Sequence, residues 1–242
     1  MAPSEDEGRK GEPGSGVSDA SGEAGAPFGP HAAAILATEH WGLLAARSLI
    51  WNEAMSRATV FLTVLSASII ALALLADATG FGSQTTMVAL VLLPVVFLLG
   101  LAAYARLVQI NTEEFQLVLA MNRLRHAYLQ IEPGLEPYFT TGHHDDERGV
   151  IASYMLEDHS RRWLVVHFLV NTPTIVATVN AALAAAVVAL LLEVGEASRT
   201  AEVAGGAVAF VVVWGVLFLL QLHTLSPLRD QAPRFPTPPD LT

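Results

Sequence analysis

The chain has 242 residues, 52% of them hydrophobic and only 15% charged, with a formal net charge of −10 and no cysteine. Soluble domains carry about 25% charged residues, so the deficit points to membrane segments. The missing cysteines exclude disulfides, thiolate chemistry and cysteine-based zinc sites, and the lack of a basic stripe excludes a nucleic-acid partner.

Residues 1–30 are rich in Gly, Pro and Ser, and set six acids (Glu5, Asp6, Glu7, Glu12, Asp19 and Glu23) against Arg9 and Lys10. Such a segment buries too little to offset the entropy of ordering, so it is predicted to be a disordered acidic tail. No apolar core follows a basic start, so no signal peptide is expected.

Residues 31–58 read as an amphipathic helix. Leu36, Leu43 and Ile50 recur at seven, with Leu44, Trp51 and Met55 placed beside them. Its polar positions mix Glu39, Glu53, Arg47 and Arg57, which favours packing on protein over lying among lipid headgroups. The pattern runs without a break into the first of four long, nearly charge-free stretches, 59–76, 86–105, 164–192 and 203–222. Each is near or above the roughly 20 residues that a helix needs to cross the hydrocarbon core. Within lipid each must pair its own backbone, so each is predicted helical. After Arg106 the apolar pattern continues through Leu117, Met121, Leu124 and Tyr128 to Ile131, where Pro133, Gly134 and Pro137 stop it. A helix over 86–131 would be about 69 Å long, so it would stand well out of the bilayer. The face carrying Leu36, Leu43 and Ile50 and the face carrying Leu117, Met121, Leu124 and Tyr128 are expected to contact each other, within one chain or between chains.

The stretch "TGHHDDERG" follows. His143, His144, Asp145 and Asp146 resemble a metal set, but neighbouring residues on a helix diverge and cannot converge on one ion. Acids before "VIASYMLEDH" instead complement a helix N-terminus, and aspartate is a favoured N-cap. No metal, cofactor or catalytic residue is therefore assigned. Glu157, Asp158 and His159 form a second such patch.

Within the third apolar stretch His167, Asn171, Thr174 and Thr178 fall on one helical face, and Pro173 is expected to kink the helix. Asn180 lies off that face. Two readings stay open, helix–helix hydrogen bonding across a close interface and a hydrated path lined by the stripe. The last stretch carries Gly205, Gly206 and Gly215, which allow close packing. The Pro-rich 223–242 is expected to be a plain tail that cannot continue the last helix.

Twelve of the thirteen basic residues lie in the two tails, the first helix and the central region 106–163. The loop after residue 76 has none, and the loop after residue 192 has only Arg199. Basic residues stay on the cytoplasmic side, so both termini and the central region are predicted to face the cytoplasm. Trp41, Trp51 and Trp163 suit that interface. The predominance of arginine over lysine suggests GC-rich, bacterial coding, hence an inner-membrane location.

The order helix, membrane hairpin with a short outer loop, long helix over 31–131 resembles the SLATT group of two-helix membrane proteins, which are proposed pore-forming effectors in bacterial defence. The second hairpin, 164–222, departs from that plan. The stretches "WNEAMSRATVFLTVLSASIIALALL" and "MNRLRHAYLQIEPGLEPYFTTGHHDDE" resemble an uncharacterised bacterial family of four-helix integral membrane proteins. That resemblance implies a topology and no activity. The expectation is an all-α membrane protein of four transmembrane helices in two hairpins, with amphipathic cytoplasmic helical extensions. It is expected to be non-enzymatic, without cofactors, homo-oligomeric and open to a cytoplasmic protein partner. The alternative is an oligomeric ion channel or pore-forming effector lined by the third helix.

Overall fold

The computed structural model describes residues 28–80, 82–154, 171–229 and 232–239. His167, Trp163, Arg161, Arg162, the patch at Glu157, Asp158 and His159, and residues 1–27 of the acidic tail lie outside the described residues. Among the described residues five α-helices run in chain order, α1 (Ala32–Thr79), α2 (Ser83–Ile131), α3 (Glu147–Ser153), α4 (Thr172–Val194) and α5 (Arg199–Arg229), with a 3-10 turn at Pro133–Tyr138. There is no strand among the described residues.

Four of these helices, Ala32–Thr79, Ser83–Ile131, Thr172–Val194 and Arg199–Thr224, are long and apolar enough to cross a membrane. They lie in the spatial order α1, α2, α4, α5, with α2 and α4 inside the row. The most apolar window of each inner helix is 28% buried within the chain, and that of each outer helix 11%. Most residues in the apolar window of every span are therefore not buried within the chain.

α1 and α2 turn back on each other through Gly80, whose φ of 76° suits a residue without a Cβ. Thr85 donates to the Gly80 carbonyl at 2.9 Å and closes the turn. Moving away from it, Arg106 bonds Glu53, Arg47 bonds Glu114 and His40 stacks on Tyr128, so the two helices run antiparallel far beyond the turn. Both guanidinium–carboxylate contacts are 2.9 Å. Arg106 also reaches Glu113 at 2.7 Å.

At the other short turn, Glu196 takes a φ of 56°. α4 and α5 approach closely there because Gly205 and Gly206 meet Leu192 and Ala185. The main core joins α1, α2, α4 and α5 around Phe61, Val96, Tyr104, Leu107 and Val176. A smaller cluster of Val118, Leu119, Met121 and Val150 covers the polar end of α2, the end remote from the two short turns.

Two expectations are corrected by this geometry. Pro173 does not kink α4. It stands in the first turn of α4, after Asn171, whose side chain accepts from the Thr174 amide at 3.0 Å as an N-cap. A first-turn proline loses no helical bond, since its missing N–H would be unpaired there anyway. The described part of the third span runs from Thr172, and residues 164–170 lie outside the described residues. The proline inside a span is Pro94 of α2. Lastly, α5 continues to Arg229, so the C-terminal tail starts later than residue 223.

Candidate functional site

The densest polar chemistry lies at the polar end of α2. Asn122 is completely buried there. Its Nδ2 donates to the carbonyls of His144 at 2.8 Å and Gly149 at 3.0 Å. Its Oδ1 accepts from Arg125 and from Ser153 Oγ, each at 2.8 Å. Every donor and acceptor of the amide is in use, so one side chain pins the 142–149 loop to α2. The loop closes tightly. A methyl group on Gly142 would collide with the Gly149 carbonyl, and one on Gly149 with the His144 carbonyl.

That closure aims two carboxylates at the C-terminal segment. The Asp145 side chain has no exposed surface and bonds Arg123 at 2.8 Å. It also accepts from the backbone amides of Arg234 at 3.0 Å and Phe235 at 2.7 Å, while its own amide donates to the Phe235 carbonyl at 3.2 Å. Asp146 caps α3 by accepting from the Gly149 amide at 2.9 Å. It further accepts from the Thr237 amide at 2.8 Å and the Thr237 hydroxyl at 2.9 Å. Phe235 stacks on the His126 ring, with centroids 4.2 Å apart. His143 and His144 lie against each other, also at 4.2 Å.

The chemistry fits the bound segment, Ala232 to Pro239, which reads "APRFPTPP". Four prolines restrict its backbone and remove four amides, and it bends at Arg234 and Phe235. The N–H groups left after Pro233 belong to Arg234, Phe235 and Thr237, and all three donate to the two aspartates. Carboxylate acceptors make amide bonds stronger than neutral oxygens do. The 223–242 region is therefore not a plain tail, because its described part is docked.

Burial pushes both carboxyls up. The amides of Phe235 and Arg234 and the Arg123 guanidinium more than reverse this for Asp145, and the Gly149 and Thr237 donors do so for Asp146, so both sit below the ordinary aspartate range. Burial first, and the neighbouring His144 second, hold His126 and His143 below the ordinary histidine value. Among the described residues, no group of three or more His, Asp or Glu is arranged to hold a metal ion.

The anticipated contact face divides. Leu43 packs on the small cluster at the polar end of α2, of which Met121 is a member, and Ile50 packs on the main core. Tyr128 stacks on His40, while Leu36, Leu117 and Leu124 are half-buried. Leu44, Trp51 and Met55, read as neighbours of that face, are exposed. They stand one residue or more around the helix from the positions that meet α2.

The polar stripe is drawn toward α5. Thr174 Oγ1 donates to Gln221 Oε1 at 3.3 Å. Thr178 donates to the Thr174 carbonyl at 2.9 Å and accepts from the Trp214 indole at 3.0 Å. Asn171 is the cap described above, so three of the four stripe residues have local roles.

Two deeper features escape a face-by-face reading. Tyr104 donates its hydroxyl to the Leu217 carbonyl, joining α2 to α5. Asn180 is fully buried with neither amide atom hydrogen-bonded, and it packs on Gly100 and Phe61 where α1, α2 and α4 meet. Asn180 is a polar residue within an apolar run and lies off the face that carries the stripe.

Comparison with protein-family models, curated proteins and solved structures finds no match for the chain.

Proposed function

We propose that this is a non-enzymatic multi-pass membrane protein whose polar helical ends form a cytoplasmic module for self-assembly or partner binding. In this reading α1 and α2 form one transmembrane hairpin and α4 and α5 the other. Both termini lie on the cytoplasmic side of the inner membrane, because the basic residues gather there. The observation that carries it is the use made of Asp145 and Asp146. The most reactive-looking cluster in the chain binds the backbone of its own C-terminal segment. This is recognition chemistry, a Pro-rich segment held through its backbone amides.

The second reading is an oligomeric channel lined by α4. The unpartnered amide of Asn180 and the unpartnered Gln221 Nε2 favour it, since buried polar groups in a span mark hydrated paths in many membrane proteins. The turning of Thr174 and Thr178 toward α5 weighs against it.

Planar-bilayer recording separates the two, alongside the protein mass of the detergent-purified particle by light scattering. The assembly reading expects an oligomer, flux at background, and altered stability or assembly in His167→Leu and Asn171→Leu. Flux that those substitutions change would establish the channel instead.

A further inference from the structure

α1 carries a second apolar seam that α2 does not cover. Trp41, Leu44, Ser48, Trp51 and Met55 follow one another at three, four, three and four residues, the spacing of a coiled-coil contact line. The tryptophans are 73% and 48% exposed, and Leu44 and Met55 39% and 43%. The seam and its flanks lack free charge. Between residues 41 and 56 the charged residues are Arg47 and Glu53, which are taken up by Glu114 and Arg106 on α2.

Lipid does not reach the Trp41 end of this surface. Trp41 lies 18 residues before the apolar span starts at Thr59, about 27 Å along a helix and still roughly 21 Å from the hydrocarbon at a 40° tilt. The headgroup layer is only about 5–8 Å deep. Trp51, eight residues before Thr59, stands about 12 Å out along the helix, at the edge of the headgroup layer, so it is the Trp41 end of this uncharged face that calls for a protein cover.

We propose that the cover is the same seam of a second copy, the two α1 helices lying parallel about a two-fold axis normal to the membrane. This rests on the assembly reading above and names the surface. The membrane gives both copies the same orientation, which a parallel coiled coil requires. Of the charges Arg47 and Glu53, Arg47 stands next to a contact position, Ser48, and its Glu114 partner removes repulsion at the joint. At the stated exposures the four large side chains offer roughly 500 Å² per copy, short of the roughly 800 Å² of a standard interface. The register supplies more, because it continues into the span at Leu62, 41% exposed. Pairing would turn two α1–α2 pairs into a four-helix bundle, the arrangement that buries helix flanks most fully.

The chain has no native thiol, so single cysteines test this in the full-length protein in isolated membranes. Ser48→Cys lies on the seam. Ser56→Cys is also exposed but falls one residue past a contact position, off the seam. Under mild oxidation Ser48→Cys should give a band at twice the chain mass and Ser56→Cys little or none. Trp41→Glu/Trp51→Glu, which alters exposed side chains, should halve the particle mass. An oligomeric particle in which Ser48→Cys forms no dimer band overturns the seam and leaves the assembly reading standing. A monomeric particle overturns both. An adduct of Ser48→Cys with a different protein, or its protection from a soluble maleimide within a monomer, also overturns the proposal.

Discussion

Asp145 shows how one buried carboxylate can decide where a chain terminus goes. It has no exposed side-chain surface and accepts from two tail amides and one guanidinium. Asp145→Asn keeps the shape but loses the charge, and charge-assisted bonds of this kind contribute about 1.5–3 kcal/mol each. Trypsin cleavage after Arg234 should therefore speed up at least about tenfold, read by mass spectrometry of the released C-terminal peptide. A rate equal to wild type would mean that the tail is not held by this group. The clamp is also expected to respond to pH. His126 and His143 titrate below the ordinary histidine value of about 6.5 in the docked state. The undocked state then binds more protons just below that pH, so clamp strength is full above it and falls as pH drops through it. The aspartates, depressed in the same state, contribute fully above the ordinary aspartate range and lose that contribution as pH falls from there through their lowered values. His126→Phe keeps the ring against Phe235 but removes one titrating group. The cleavage ratio of this variant to wild type should fall between pH 7 and pH 5.5, a ratio that cancels the protease's own pH dependence.

At the scale of the helices, the decisive contact is where α1, α2 and α4 meet. Gly100 gives way to the Asn180 amide, with Asn180 Cγ and Phe61 Cε2 each 2.7 Å from where a Cβ would stand. Gly100→Ala should destabilise by roughly 1–3 kcal/mol through overpacking, seen as a lower midpoint in a detergent-titration unfolding curve. Asn180→Ala removes the obstructing group and two amide atoms that have no partner. Gly100→Ala/Asn180→Ala should recover most of the loss, and additive effects would argue against the contact. α4 itself shows what a sequence can and cannot say. Asn171 and Pro173 are an N-cap and a first-turn proline, and that local pattern was legible. The long apolar run around them concealed it, because hydropathy measures solvent and not backbone continuity.

For the whole molecule, the row of helices leaves the outer spans 11% buried, so the stability of the polar end rests on its own contacts. The α1–α2 ion pairs belong to this level. Arg47→Glu should weaken the pairing, and the added Glu114→Arg should restore it with a coupling of about 0.5–1 kcal/mol, the scale of partly exposed pairs. Thermal midpoints of the four proteins of that cycle measure it. Truncation after Arg229 removes the docked segment. It should speed proteolysis within 140–150 while leaving four membrane spans, as topology labelling would report.

What the sequence determined by itself was the solvent and the element type. Long uncharged runs must be helical in lipid because no water pairs their backbone, and the four spans follow from that alone. Helix ends were legible where Pro, Gly or Asp occupies a position of known local geometry, as at Asp146. The partners of each face were not. Leu43 and Ile50 differ from Leu44 and Trp51 by one residue, yet the first pair packs on α2 and the second stays open. Asp145 and Phe235 lie 90 residues apart, and no spacing rule joins them. The tertiary structure decided those pairings, because a hydrogen bond or an apolar contact depends on distance in space, which the order of residues along a helix does not specify.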